Sequence, residues 1–160
     1  DHPEVVVVLS GMNDEAHIEE NLGIAADALP DALTPEERGL VERAAARYRG
    51  IMKVNCSGCG YCMPCPAGVN IPACFEIYNK MHLFGNLEEG KDSYVMKTSG
   101  VLQRSESGYA SQCVECGTCL GKCPQGLDIP LLLKDVAAEL EGPDLEARVR
   151  EMARKRNIII

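Results

Sequence analysis

The apolar positions of this chain change rhythm early. Residues 4–9, EVVVVL, are β-branched and apolar without alternation, the pattern of a strand buried on both faces as in a parallel sheet. SGMND follows, and the period then lengthens to that of a helix predicted over 14–28, with Ala16, Ile18, Leu22, Ala25, Ala26 and Leu29 on its apolar side. Together these predict one βα unit. A lone strand has nothing to pair with, and no second convincing strand precedes the terminal NIII, so its neighbours are expected upstream of Asp1.

Thr34, Pro35 and Glu37 supply an N-cap hydroxyl, a first-turn proline and a capping-box glutamate. They predict a helix over 35–49 with Leu40, Val41, Ala44, Ala45 and Tyr48 on one face and Gly50 as its stop. The composition changes there, which places a domain boundary near residue 50, between 1–49 and 50–160. Beyond it CPAGVNIP at 65–72 and CPQGLDIP at 123–130 form an internal repeat. Each combines an Asn or Asp able to cap a helix with Ile-Pro at the first turn, and so predicts helices over 71–84 and 129–141. Two cysteine loops, each feeding a helix, suggest a pseudo-twofold arrangement. Residues 86–112 are expected to hold one or two short helices with a polar SESG turn. Gly142 and Pro143 then break the chain before a charged helix over 144–156, whose acid-first, base-last order suits the helix dipole.

The 160 residues are enough for one domain or two small ones. A formal charge of −8 and a pI near 4.9 argue against nucleic acid or an anionic membrane as partner, since both need a basic face. An acidic surface suits a basic protein partner, or serves solubility alone. The opening DHPEVVVVLSG has no basic n-region and too short an apolar run for a signal peptide or a membrane span, so the protein is expected to be cytoplasmic. A start at Asp1 followed at once by a strand pattern suggests an excised fragment.

The chain has nine cysteines, eight of them in CSGCGYCMPCP at 56–66 and CVECGTCLGKCP at 113–124. That clustering does not resemble a disulfide framework. Thiolate-rich sites take zinc, copper(I) or iron–sulfur clusters, and structural zinc usually draws two cysteines from each of two separated knuckles. Here each run supplies three ligands at two-residue spacing and a fourth followed by proline. This is close to the bacterial [4Fe-4S] run, whose last cysteine ligates the other cluster. Two [4Fe-4S] clusters are therefore expected, with a zinc-stabilised interaction domain as the alternative. Three closely spaced cysteines can wrap one cluster, whereas Pro66 and Pro124 turn the fourth toward the next helix. The expected ligand sets are Cys56, Cys59, Cys62 and Cys123, and Cys113, Cys116, Cys119 and Cys65. The first loop is one residue shorter, which leaves open that Cys65 reaches back to its own run. Aligning the repeats sets Cys74 opposite Leu132 on an apolar helix side, a small buried hydrophobe and not a ligand. Gly58, Gly60, Gly117 and Gly121 either let amides approach sulfur or serve as turn glycines.

The order VVVVLSGMN, HIEEN, TPEERGLVERAAARYRG, CSGCGYCMPCPAGVNIPACFEIYN and QCVECGTCLGKCPQGLDIP resembles the C-terminal portion of the ferredoxin-tailed aldo/keto reductases. The resemblance implies a mainly α chain: residues 1–49 as the last strand and closing helices of a (β/α)8 barrel, and 50–160 as an α-helical ferredoxin-like domain. It implies that Ser10, Gly11 and Met12 lie against the phosphates of a nicotinamide cofactor, NAD(P), and that Glu20 and Asn21 reach its adenine end; a plain strand-to-helix turn is the competing reading. His17 stands where many members carry an arginine for the 2'-phosphate, which puts NADP preference in question. The family's catalytic residues would all precede Asp1, so no acid, base or nucleophile is assigned and the chain is not expected to reduce carbonyls alone. Tyr48, Tyr61, Tyr78, Tyr94 and Tyr109 are expected to pack. The function expected is electron transfer, to or from a redox partner protein or an upstream barrel.

Overall fold

The computed structural model describes residues 2–103 and 105–158, which form six α-helices and no strand. The chain divides into two compact units, Asp1–Tyr48 and Arg49–Ile160. Among the described residues no helix is long and apolar enough to cross a membrane.

The first unit contains α1 (Glu15–Asp27) and most of α2 (Pro35–Ile51). Asp14 caps α1 by accepting from the Ala16 amide at 2.9 Å. Thr34 and Glu37 form the predicted capping box: the Thr34 amide and hydroxyl donate to Glu37 Oε2 at 2.8 and 2.9 Å, and the Glu37 amide donates back to Thr34 Oγ1 at 3.3 Å. Those bonds hold the Glu37 carboxyl below its ordinary range. Two expectations fail here. Residues 4–9 form no strand, so the βα unit is reduced to its helix; Val6 and Leu9 are 93% and 91% exposed. A strand needs a neighbour to take its amides and carbonyls, and these residues have none among those described. Gly50 does not stop α2, which runs on to Ile51. Neither helix buries a residue, so the apolar sides predicted for both are uncovered.

The second unit has a true core. α3 (Ile71–Phe84) packs on α4 (Leu87–Thr98) and α5 (Ile129–Leu140), and α4 packs on α6 (Leu145–Lys155). Asn70 and Asp128 cap α3 and α5 in the same way, each accepting from the amide three residues on at 3.3 Å, with proline in the first turn. The repeat is thus a repeat of local structure. Ile71, Cys74, Phe75, Tyr78 and Met81 form the buried stripe of α3, and Ile129, Leu133, Val136 and Leu140 that of α5. At Gly90 a Cβ would lie 2.8 Å from Met81 Cγ, so the closeness of α3 and α4 depends on glycine there. Arg148 on α6 joins Glu88, Asp92 and Asp144, tying the last helix to α4.

The predicted span 86–112 is one helix, α4, and a 3-10 turn at Ala110–Gln112. Cys74 is fully buried as expected; its thiol donates to the Gly108 carbonyl at 3.7 Å, and burial pushes its pKa up to about 12. Tyr78 and Tyr94 are buried and Tyr109 half-buried, but Tyr48 and Tyr61 are exposed and do not pack as expected. Of the terminal NIII, Ile159 and Ile160 lie outside the described residues, and Asn157 and Ile158 form no strand.

Candidate metal centre

All nine cysteines are free. Eight of them line two small spaces in the second unit. One space is bounded by Cys56, Cys59 and Cys62 of the first run, by Pro72 and Phe75 of α3, and by Cys123, Gln125, Leu127 and Ile129 from the second repeat. The other is bounded by Cys113, Cys116 and Cys119, by Pro130 and Leu133 of α5, and by Cys65, Pro66, Ala67 and Ile71 from the first repeat. The wall residues are reciprocal: Cys65 corresponds to Cys123, Pro72 to Pro130, Phe75 to Leu133 and Ala67 to Gln125. The two spaces thus have matching walls, which suits occupants of one kind. Cys65 therefore lies with the second run and Cys123 with the first, despite the shorter first loop with its cis Met63–Pro64 peptide. Cys62 and Ile71 line both spaces and form the partition between them.

The donor set fits an iron–sulfur cluster. Among the described residues no three His, Cys, Asp or Glu side chains are placed to share a single metal ion. The sulfurs stand around a space instead, which suits a cluster that carries its own bridging sulfides. Gly58, Gly60 and Gly117 all have positive φ (70°, 76° and 72°), and the Gly58 amide donates to Cys56 Sγ at 3.4 Å. Amide bonds of that kind stabilise charge on a ligating sulfur. Gly121 has no such conformation and serves only the 3-10 turn at Leu120–Lys122.

Burial pushes the Cys62 thiol up, and so do the neighbouring Cys56, Cys119 and Cys59. Burial likewise raises Cys119, with Cys113, Cys116 and Cys65 adding to the effect. Thiolate ligands must lose their protons, so bound iron would offset the repulsion that these groups otherwise exert. Cys116 moves the other way, held down by hydrogen bonds from Thr118.

Each run is also fixed from behind by polar side chains: Asn79 and Glu141, which the sequence did not single out, and Tyr94, which was expected only to pack. Asn79 of α3, only 5% exposed, accepts from the Lys53 and Val54 amides at 3.0 and 2.9 Å and donates to the Val54 carbonyl at 2.7 Å. The Cys56 amide in turn donates to that carbonyl at 2.8 Å, so Asn79 fixes the approach to the first run. At the second run, Tyr94 Oη accepts from the Ala110 amide at 2.7 Å and donates to Glu141, which also accepts from the Ser111 amide at 3.1 Å. α4 and the end of α5 thereby hold the turn that delivers Cys113. A polar residue inside the buried stripe of α3 was a readable signal for Asn79. Glu141, expected to lie within its helix, gave none; it is the C-cap of α5.

The residues assigned by resemblance to a nicotinamide lie in the first unit. Ser10, Gly11, Met12 and Glu20 are exposed, Asn21 is half-buried, and Asn21 Nδ2 donates to Ser10 Oγ at 3.4 Å. The structure thus brings two of the five together.

Residues 55–127 match the 4Fe-4S dicluster domain family, a span that takes in all eight clustered cysteines. The match spans less than half of the chain; it makes residues 55–127 similar to a 4Fe-4S dicluster domain and supports iron–sulfur binding there. The match does not extend to the resemblance with aldo/keto reductases. No curated protein and no solved structure matches the chain.

Proposed function

We propose that the second unit is an electron-transfer module holding two [4Fe-4S] clusters, one on Cys56, Cys59, Cys62 and Cys123 and the other on Cys113, Cys116, Cys119 and Cys65. The observation that supports this reading is the reciprocal lining of the two spaces, each with the first three cysteines of one run and the fourth of the other, and with Cys62 on the wall between them. When bound, such clusters accept and release single electrons. The chain's own residues orient eight sulfurs, hydrogen-bond those of Cys56 and Cys116, and pack apolar side chains such as Phe75, Leu133 and Ile71 around the two spaces. The zinc alternative has no single-ion donor set to support it among the described residues.

We read the module as the electron-carrying part of an oxidoreductase of the aldo/keto reductase type. Its partner is then a barrel on the same polypeptide or a separate redox protein, and Ser10, Gly11, Met12, Glu20 and Asn21 belong to an NAD(P) loop completed by that barrel. The resemblance in residues 4–21 and the uncovered apolar surface of α1 and α2 support this reading. Nine free thiols favour a reducing compartment such as the cytoplasm.

Iron and acid-labile sulfide quantitation on anaerobically prepared protein, with EPR before and after reduction, tests the cluster assignment. Two clusters are expected in the parent protein, and Cys65→Ser is expected to impair the second cluster while sparing the first. Loss of the signal of the first cluster in that variant would overturn the exchanged ligand sets, and protein without iron or sulfide would overturn the reading itself. For the oxidoreductase, a coding sequence that lacks βα repeats upstream of residue 1 would end the proposal.

A further inference from the structure

The wall between the two spaces breaks the correspondence of the repeats. Ile71 and Ile129 are equivalent positions: each follows the capping residue of its helix, Asn70 or Asp128, each precedes a proline, and they are 1% and 2% exposed. Ile71 nevertheless lines both spaces, whereas Ile129 lines only the space of the first run. The third cysteines differ in the same sense, since Cys62 lines both spaces and Cys119 only its own.

Chain length accounts for the cysteines. Two residues separate Cys62 from Cys65, and three separate Cys119 from Cys123. At about 3.3–3.6 Å per residue, Cys62 stands no more than roughly 11 Å from Cys65, against roughly 14 Å for the other pair. Cys65 lines the space of the second run, so the shorter tether keeps Cys62 at that space as well. Ile71 shares this wall with Cys62 and is its apolar part. The apolar shell around an iron–sulfur cluster controls how far water and polar groups reach it, and more polar surroundings stabilise the more negative, reduced state. A side chain that borders both spaces therefore acts on two clusters, and one that borders a single space acts on one.

We infer that Ile71 tunes the reduction potentials of both clusters together, whereas Ile129, its equivalent in the second repeat, tunes that of the first cluster alone. Position 71 thus adjusts the level at which the pair accepts electrons from a one-electron donor. Position 129 adjusts the difference between the two clusters, which is the driving force for passing an electron from one to the other. That step oxidises one cluster and reduces the other, with no bond made or broken and no proton moved. The inference rests on the two-cluster reading above.

The test is an anaerobic redox titration of the parent protein, Ile71→Thr and Ile129→Thr, two substitutions that place a hydroxyl at equivalent positions. The parent is expected to take up two electrons per chain. Ile71→Thr is expected to take up both at a higher potential than the parent does. Ile129→Thr is expected to take up one at a higher potential and the other where the parent does. An Ile71→Thr variant that raises one electron or neither overturns the inference, as does an Ile129→Thr variant that raises both or neither. Loss of stability alone, common to two equally buried isoleucines, does not produce this division. If either variant fails to hold its iron, Ile71→Val and Ile129→Val, each trimming one methyl group, decide by the same criteria. Failure of the two-cluster reading is seen separately, in the iron and sulfide content of the parent protein before any potential is measured.

Discussion

Asn79→Ala tests whether a buried amide on α3 holds the approach to the first cysteine run. The substitution removes three hydrogen bonds and strands the amide of Val54, itself 1% exposed, together with the part-buried Lys53 amide, while the Val54 carbonyl keeps the Cys56 amide. A hydrogen bond contributes about 1 kcal/mol net, and a buried polar group left unpaired costs about 1–3 kcal/mol, so the loss comes to roughly 3–5 kcal/mol. That is a large part of the about 5–15 kcal/mol that stabilises a typical domain. At about 4 °C per kcal/mol for a unit of this size, the melting temperature should fall by roughly 12–20 °C. The assay is thermal unfolding of anaerobically prepared protein by circular dichroism, with iron per chain measured in parallel. Iron should be lost first from the cluster bound by Cys56. Lys80→Ala, the next residue along α3, removes only a largely exposed ion pair with Glu76 and should cost less than about 1 kcal/mol. If Asn79→Ala melts within about 4 °C of the parent and keeps its full iron, Asn79 does not anchor the approach and the reasoning fails.

Cys74→Ala should leave iron and sulfide unchanged and lower stability by about 1 kcal/mol, as expected for trimming a small buried side chain; loss of iron in metal analysis would make Cys74 a ligand. Asp128→Ala removes the N-cap of α5 and should cost about 0.5–2 kcal/mol in denaturant titration. No measurable change there would show that packing alone holds the helix end. Glu115→Gly relieves a left-handed residue at a saving of about 1 kcal/mol and gives up an exposed ion pair worth less than that. A slightly higher melting temperature is expected, and a fall of several degrees would contradict the strain argument.

What could be read from the sequence was whatever depends on near neighbours. Cysteine spacing, the Asn-Ile-Pro and Asp-Ile-Pro helix starts and the Thr34–Glu37 capping box are all local, and they appear in the structure where the pattern put them. Cys65 lines the space of the second run and Cys123 that of the first, each beside the proline expected to turn the chain there. EVVVVL misled because a strand is defined by its partner, and β-branched residues express only a preference that a partner must complete. Gly50 misled because glycine lowers the stability of a helix without obliging it to end. The polar roles of Asn79, Tyr94 and Glu141 were not legible because they lie in long-range bonds, Asn79 to Val54 across 25 residues and Tyr94 to Glu141 across 47, although Tyr94 was expected to pack and does.

The net charge also takes a different meaning once the chain is divided. Residues 1–48 contain eleven acidic and three basic residues, whereas residues 49–160 contain thirteen of each. The whole formal charge of −8 thus belongs to the unit with α1 and α2, and the unit with the cysteines is formally neutral. The argument that an acidic surface suits a basic partner therefore applies to the first unit alone. There the acidic residues accompany exposed apolar ones such as Leu22, Leu40 and Val41. Around the cysteines the field is set by individual groups near sulfur, and with no net charge behind them their influence is short in range and screened within about 8 Å at physiological ionic strength.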